Sequence, residues 1–480
     1  MPPSDTPPQE KLPLSEKIAY GAGGLCDFFL ANIVGALAIP IFTLGFGMDP
    51  LLLGIALALP RVLAAVADAI IGAMSDNLSS RWGRRRPFIA AGAVLGALVM
   101  PLVWWCPRVG DWGMFAYVSV FASLIAACQS LVAVPYGALG MELSPNYDER
   151  TRIVAWKGYI GIVGTLCAAW FYWFCQRDIF GDEITGVRWL SLLGSCVVLG
   201  AGALTVIFCR ERRCDQVHQP RVPIARALAT TLRNRPFLIV LGAQLLLAFG
   251  TGVVGLLGNY VHIVYACGGD KALASLISGV GGSVTVGSNL VAIPLGLWLS
   301  VHLGKREAAL CGLVILALGL SLLPFTLRPA HPWLVILTWT IDAVGMPCAA
   351  LMFGAMLPDI CDEDELHTGL RREGAYSAVN SFLGRIVGVA TLVAAGALPK
   401  LAGYVDASHP PEGPVLERMR LMLIAIQMTV VVIALAIVWL YPISRARAAR
   451  TRLIIEARRS PCAPPPIGDG VAPTAMPGTT

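Results

Sequence analysis

Charged side chains occur inside apolar stretches of this chain, where they could do chemistry. The aspartates are Asp27, Asp68 and Asp342, and the arginines are Arg61 and Arg385. A carboxylate in such surroundings can take up and release a proton, because removal from water disfavours its charged form. Asp27 and Asp342 would balance Arg61 and Arg385 in charge, which makes a shared polar cavity physically possible. The pattern predicts a functional cavity inside an apolar protein.

The composition explains the apolar stretches. Hydrophobic residues make up 56% and charged residues 14% of the 480 positions, whereas soluble domains carry roughly 25% charged residues. The chain is therefore expected to be an integral membrane protein in contact with the lipid bilayer. Its net charge of +6 is concentrated in particular loops. This distribution indicates the membrane topology, and no nucleic-acid partner is expected. The thirteen cysteines have neither metal-site nor disulfide-framework spacing.

Apolar runs of roughly 20 residues, the length of a helical span, predict an all-α membrane protein with twelve transmembrane helices in two six-helix bundles. The predicted spans are 17–46, 51–75, 87–106, 113–141, 153–176, 186–209, 236–266, 271–301, 306–326, 332–357, 375–399 and 419–441. They group into an N-terminal bundle at 17–209 and a C-terminal bundle at 236–441, joined by a connector at 210–235 and flanked by an N-terminal segment at 1–16 and a largely disordered tail at 442–480.

The loops predict the orientation. The turn after span 2, the connector and the start of the tail are rich in arginine, and the loops on the opposite side are poorer. Because short cytoplasmic loops retain Lys and Arg, we expect both termini in the cytoplasm and the chain in the plasma or inner membrane.

A weak internal repeat supports two equivalent halves. GRRRPF at 83–88 follows span 2, and GKREAA at 304–309 follows span 8. PYGALGMELSPNYDERTR at 135–152 ends span 4, and MPCAALMFGAMLPDICDEDELHTGLRRE at 346–373 ends span 10. Halves repeated in parallel are typical of secondary transporters.

Several motifs together resemble one transporter family. They are YGAGG at 20–24, RVLAAVADAIIG at 61–72, SRWGRRRPFI at 80–89, VPYGALGMELSPNYDERTR at 134–152 and LRREGAYSAVNSFLGR at 370–385. The chain resembles the glycoside-pentoside-hexuronide:cation symporters, major facilitator transporters that include melibiose permease and are related to plant sucrose carriers. The resemblance implies the major facilitator fold and cation-coupled symport of a sugar, glycoside or hexuronide by alternating access, without a cofactor.

The cation site implied by the resemblance is altered. Melibiose permease-like members carry two aspartates one helical turn apart in span 2, and these positions are Ala64 and Asp68 here. One carboxylate with Ser130 on span 4 offers few of the oxygen ligands that hard cations take. We therefore predict co-transported H⁺ with Asp68 as the coupling carboxylate, and Na⁺ as the alternative. Asp68 could instead pair with a basic group such as Arg61.

The substrate site departs from the family as well. The acidic position of span 4 is Ala133, two aromatic positions are Gly137 and Ala350, and the lysine of span 11 is Arg385, so the sugar is not identified. Four charged residues lie roughly 15 Å from the nearer end of their spans at 1.5 Å per residue, near the midplane where transporters bind substrate. The predicted substrate-binding residues are Asp27, Arg61, Asp342 and Arg385.

Charged residues of the basic turns predict a cytoplasmic gate. Salt bridges that form and break between the halves would supply the two-state element of alternating access. Alternatively, any single arginine could serve only to fix the orientation of the chain in the membrane. The predicted gate consists of Asp76, Arg84, Arg85, Arg86, Glu142, Arg150, Arg152, Asp359, Arg371 and Arg372.

Transport of a sugar is not the only function that the sequence allows. The sequence has no HExxH, GxSxG or cysteine–histidine pairing, so an enzyme is not expected. The alternatives are a carrier of a non-sugar amphiphile such as a lysolipid, because small residues at Gly137 and Ala350 could open the cavity sideways, and a sensor that binds substrate without transport. We expect a monomer.

Overall fold

The protein is described by a computed structural model that covers residues 12–78, 80–143, 147–209, 231, 233–368, 373–403 and 413–459. Its long helices are α1 Leu14–Leu37, α2 Pro50–Asn77, α3 Arg86–Val103, α4 Asp111–Glu142, α5 Tyr147–Ala169, α6 Glu183–Phe208, α7 Arg235–Val261, α8 Lys271–Leu303, α9 Lys305–Thr326, α10 Val335–Thr368, α11 Glu373–Leu401, α12 Gly413–Trp439 and α13 Arg445–Arg459. Most of the predicted connector and the end of the tail lie outside the described residues.

Eleven helices of the described ranges are long and apolar enough to cross a membrane. The predicted class, an all-α membrane protein, is confirmed. The helix α5 is a special case, since it begins with the charged sequence YDERTR and so has a less apolar composition. It packs beside α1 and α8, and the short helix Phe171–Cys175 continues it.

The two halves of the chain repeat the same packing scheme. In the first half α1 packs on α5 and α6, and α4 packs on α2 and α3; the helices six places later make the same contacts in the second half. Both α1 and α7 also end in a π-helical turn, at Ala38–Thr43 and His262–Ala266 respectively. The weak sequence repeat thus corresponds to a structural one.

Side-chain caps define several helix starts. Asp49 accepts a hydrogen bond from the Leu51 N–H at 2.8 Å before α2, and Asp270 accepts one from the Leu273 N–H at 3.0 Å before α8. Such a cap stabilises a helix by about 1 kcal/mol because it satisfies an otherwise unpaired amide. Both caps lie where α1 and α7 end, which we call the far face; the end where α1 begins and α12 ends is the terminal face.

At the far face, α2 of one half touches α11 of the other. A Cβ atom on Gly54 would lie 2.6 Å from the Leu392 carbonyl oxygen, and one on Gly396 would lie 2.6 Å from the Pro50 carbonyl oxygen. Only glycines permit this approach, because the two backbones are in direct contact.

The helices α5 and α8 make the second contact between the halves. A Cβ atom on Gly279 of α8 would lie 2.7 Å from the Trp170 ring, and one on Gly282 would lie 2.5 Å from the Ala169 Cβ. The Trp170 indole N–H also donates to Ser283 Oγ at 2.9 Å.

Ion pairs complete the closure of the far face. Lys400 Nζ lies 2.6 Å from Asp49 Oδ2. Lys271 pairs with Glu183 and donates to the Leu44 carbonyl oxygen at 3.1 Å. Each pair joins one half to the other, so the structure shows a state that is closed at the far face.

Two features at the terminal face differ from the sequence analysis. The helix α10 was predicted to end at 357 but runs to Thr368, where Lys305 Nζ lies 2.6 Å from Asp359 Oδ2 and Arg447 pairs with Glu363. The helix α13 was not anticipated, because the tail reads as polar and arginine-rich. These ion pairs explain how an acidic stretch continues as helix.

We expect Gly396→Val to open the far face. The added side chain overlaps the Pro50 carbonyl, and overpacking of this kind costs about 1–3 kcal/mol. Hydrogen–deuterium exchange of the far ends of α2 and α11 should therefore become faster. Gly35→Val is the matched control, since nothing lies within 4 Å of a Cβ at Gly35. Equal exchange in both variants would show that this contact does not hold the face closed.

Candidate functional site

An ion pair joins the two halves in the interior. Arg385 of α11 donates from Nη2 to Asp68 Oδ2 of α2. The Asp68 side chain is 22% exposed and the Arg385 side chain 43% exposed, although both lie well inside long apolar helices. Arg61 was the basic group that the sequence suggested as a partner of Asp68, but Asp68 pairs with Arg385.

Arg61 lies on the same side of α2 as Asp68, since seven residues make nearly two helical turns. Its Nη1 would be 2.7 Å from a Cβ atom on Gly388. Gly388 follows Arg385 by one turn on α11, so the absent side chain at Gly388 makes room for the Arg61 guanidinium. Two arginines thus lie at the contact between α2 and α11.

The first half contributes a second polar group around Asp27. Gln129 of α4 donates from Nε2 to Asp27 Oδ1 at 2.8 Å. Lys157 of α5 and Asp68 both lie within electrostatic range of the Asp27 carboxylate. The Lys157 ammonium also lies 4.9 Å from the centre of the Tyr136 ring, as a cation–π contact requires.

Two members of this group were not predicted from the sequence. Neither Lys157 nor Gln129 is among the candidate residues that the sequence indicated. The signal for Lys157 was present, because span 5 was predicted to begin at 153 and Lys157 lies one turn inside it. A lysine at that depth costs free energy unless it has partners.

A tyrosine pair fixes the helices that carry the group. The rings of Tyr20 on α1 and Tyr136 on α4 stack with centroids 4.5 Å apart. The Tyr136 hydroxyl donates to the Tyr20 carbonyl oxygen at 2.8 Å. Both side chains are buried, so this contact sets the register between α1 and α4, and with it the distance from Asp27 to Gln129.

The structure places two predicted residues away from this group. Ser130 is fully buried and its hydroxyl has no hydrogen-bond partner among the described residues; it points about 100° away from Gln129 on α4. The Asp342 carboxylate lies against Gly319 of α9, and its Oδ1 has no partner within the described part of the chain. The structure therefore brings together Asp27, Arg61, Asp68 and Arg385 but not these two.

The second half offers a mostly apolar pocket between α7, α10 and α11. Phe353 and Ala350 line it together with the amides of Gln244 and Asn380. Ala350 is one of the two positions at which the resembled family has an aromatic residue. The small side chain of Ala350 leaves room in this pocket.

Four of the predicted gate residues make contacts within their own halves. Arg85 Nη1 donates to Ser75 Oγ at 2.7 Å, Arg86 binds the Val206 carbonyl, and Arg152 lies 2.6 Å from Glu149. Asp359 pairs with Lys305, and Arg84 is partly exposed. The side chains of Asp76, Glu142 and Arg150, and the whole of Arg371 and Arg372, lie outside the described residues. The gate stays a prediction.

Comparison with known proteins identifies relatives along most of the chain. The family model described as MFS/sugar transport protein matches residues 19–445. The glucuronide carrier protein homolog of Escherichia coli K12 is 24% identical over 92% of this chain and 95% of its own length. The isoprimeverose transporter of Lactiplantibacillus pentosus is 22% identical over 83% of this chain and 82% of its own length.

A solved structure has the same fold. It is an inward-facing, unoccupied bacterial homolog of the human lysosomal transporter Spinster, with a TM-score of 0.65, 14% identity, and coverage of 93% of this chain and 98% of that one. The predicted major facilitator fold is therefore confirmed.

We expect Glu149→Gln to destabilise the first half in a pH-dependent way. Burial alone would raise the pKa of Glu149, but hydrogen bonds from Lys17 and Arg152 lower it overall. Lys17 lies 2.8 Å from this carboxylate, and loss of one partner of a buried pair costs on the order of 3 kcal/mol.

A lowered folded-state pKa means that this stabilisation is present above about pH 4.3, the ordinary glutamate pKa, and is lost as the pH falls through the lower folded value. The apparent melting temperature of the variant should therefore fall below that of the wild type at pH 7, and the gap should narrow in acid. The exposed Glu307 supplies the control, Glu307→Gln. A gap that does not depend on pH would contradict this account.

Proposed function

Because the chain belongs to the MFS/sugar transport protein family and is a transporter rather than an enzyme, we propose that it carries a sugar, glycoside or hexuronide together with a proton by alternating access. The ion pair between Asp68 and Arg385 carries this proposal. It joins the two halves, and its carboxylate, Asp68, is the group to which we assign the co-transported proton.

Charge compensation explains how proton and substrate would be coupled. Protonation of Asp68 removes its negative charge and leaves Arg385 without a counter-ion. A buried charge without a partner costs several kcal/mol when the cavity closes around it. A substrate that accepts hydrogen bonds from the guanidinium restores the balance. The empty carrier and the fully loaded carrier can then change state, whereas the carrier loaded with a proton alone cannot.

The same pair supports protons over sodium as the coupling ion. The Arg385 guanidinium next to Asp68 opposes binding of a second fixed cation at that carboxylate. Hard cations take several oxygen ligands, yet position 64 is alanine and Ser130 is buried in helix packing. A proton needs the Asp68 carboxylate only.

Charge in the interior favours an acidic sugar. The polar groups around the ion pair hold the carboxylates of Asp27 and Asp68 against the cations Arg61, Lys157 and Arg385. The three cations outnumber the two carboxylates, and Asp68 loses its negative charge when it takes a proton. A hexuronide carboxylate would compensate this excess of positive charge, and the Escherichia coli relative is named as a glucuronide carrier protein homolog.

The pocket beside Ala350 supports a substrate with an apolar part. Its lining is largely apolar, so the aglycone of a glycoside would fit there while the sugar contacts the polar group of the first half. A Cβ atom on Gly137 would meet open space. This openness also favours the second candidate function, transport of a non-sugar amphiphile such as a lysolipid.

We infer the topology and assembly from the same features. Both termini belong in the cytoplasm, because the basic loops gather at the terminal face. One chain supplies both halves of the interior, so a monomer is sufficient for transport.

The substrate class is tested by adding a panel of uronides, neutral glycosides, disaccharides and lysolipids to de-energised cells that express the protein while external pH is recorded, with and without sodium. Alkalinisation on adding a uronide or glycoside is the expected result. Arg385→Gln should reduce uronide uptake at least about tenfold and neutral glycoside uptake less, since a charged hydrogen bond contributes about 1.5–3 kcal/mol. Uptake that needs sodium and moves no protons would refute proton coupling.

We expect Asp68→Asn to abolish accumulation against a gradient while exchange of internal for external substrate continues. The amide cannot exchange a proton, and Arg385 then lacks a counter-ion whenever the carrier is empty. Accumulation and counterflow of labelled substrate are measured at equal expression. Asp111→Asn, at an exposed position, is the control. Intact uphill uptake in the Asp68 variant would remove this residue from the mechanism.

A further inference from the structure

The last helix has a composition unlike the rest of the protein. Between Arg445 and Arg459, α13 reads RARAARTRLIIEARR, with six arginines and a single glutamate. It begins soon after α12 leaves the apolar region at Trp439. Transport as proposed above does not use it.

One side of α13 is fastened to the second half. Tyr441 and Ile443, which precede it, are 3% and 5% exposed and pack in the core of that half. Arg447 pairs with Glu363 of α10, and Thr451 is buried one turn further on. The helix therefore has a fixed position on the terminal face.

The start of α13 lies at the edge of the bundle. Arg445 Nη1 donates to the Val301 carbonyl oxygen near the end of α8 at 2.6 Å. Trp298, Val301 and Trp439 are 57%, 63% and 67% exposed at this edge. Exposed tryptophans at the ends of spanning helices lie at the level of the lipid headgroups. Arg445 must therefore lie at that level too.

The outward side of α13 is both basic and apolar. Arg450 is exposed, and Leu453, nearly one turn later, is 67% exposed. Arginine beside an exposed aliphatic residue is typical of helices that lie in the membrane interface, where the charge meets the headgroup and the apolar side chain enters the acyl boundary.

We propose that α13 is an interfacial helix that binds anionic phospholipid headgroups through Arg445 and Arg450. A guanidinium matches the geometry of a phosphate, and arginines next to the last span lie within the range of the surface charge of an anionic bilayer. Because Arg447 ties the same helix to Glu363 of α10, lipid binding stabilises the second half at the membrane surface.

The test uses the full-length protein in nanodiscs of phosphatidylcholine with and without phosphatidylglycerol, with lipid retention measured by native mass spectrometry and unfolding by an apparent melting temperature. Phosphatidylglycerol should be retained by the wild type and raise its melting temperature. In Arg445→Gln/Arg450→Gln its apparent affinity should fall about tenfold, and high salt should weaken binding to the wild type.

The double variant Arg177→Gln/Arg328→Gln is the matched control, since it removes two exposed arginines from far-face loops and changes the net charge equally. It should bind phosphatidylglycerol as the wild type does. If the α13 double variant does not fold, Arg450→Gln alone replaces it, as Arg450 is on the exposed side. Equal phosphatidylglycerol dependence in the wild type and the α13 variant would overturn the proposal, even if sugar transport is confirmed.

Discussion

The ion pair between Asp68 and Arg385 is the interaction on which the rest of the structure depends. Its two charges lie in long apolar helices of different halves, where each would be costly alone. The relative position of the halves is thereby tied to the charge state of the interior. Whatever neutralises Asp68 or occupies Arg385 changes the free energy of every arrangement in which the halves meet there.

The far face shows how closely the two halves pack. Gly54 and Gly396 bring the backbones of α2 and α11 into contact. No side chain of these two residues lies between the helices. The pairs of Lys400 with Asp49 and Lys271 with Glu183 add electrostatic attraction. Partly exposed pairs contribute only about 0–1 kcal/mol each, so these pairs add little to the packing of the far face.

The two halves differ in chemistry despite their common packing. The first half collects Asp27, Gln129 and Lys157 from α1, α4 and α5, whereas the second presents a largely apolar pocket around Ala350 and Phe353. Asp68 and Arg385 join the two halves. A ligand with one polar and one apolar end would match this division better than a ligand of uniform polarity.

The sequence alone determined the helices, and it singled out the charged side chains whose burial in a membrane span costs free energy. A span needs a fixed length of apolar residues to cross a bilayer, so most predicted helix boundaries agree with the observed ones within a few residues. A charge inside a span costs free energy, so the sequence indicated Asp27, Arg61, Asp68 and Arg385 as candidates. Only the tertiary structure decided the partners. The rotation of each helix about its axis is set by packing against helices remote in sequence, which turned Asp342 toward Gly319, paired Asp68 with Arg385 rather than Arg61, and brought Lys157 to Tyr136. The continuation of α10 and the docking of α13 likewise required Lys305 and Arg447, which no local pattern links to Asp359 and Glu363.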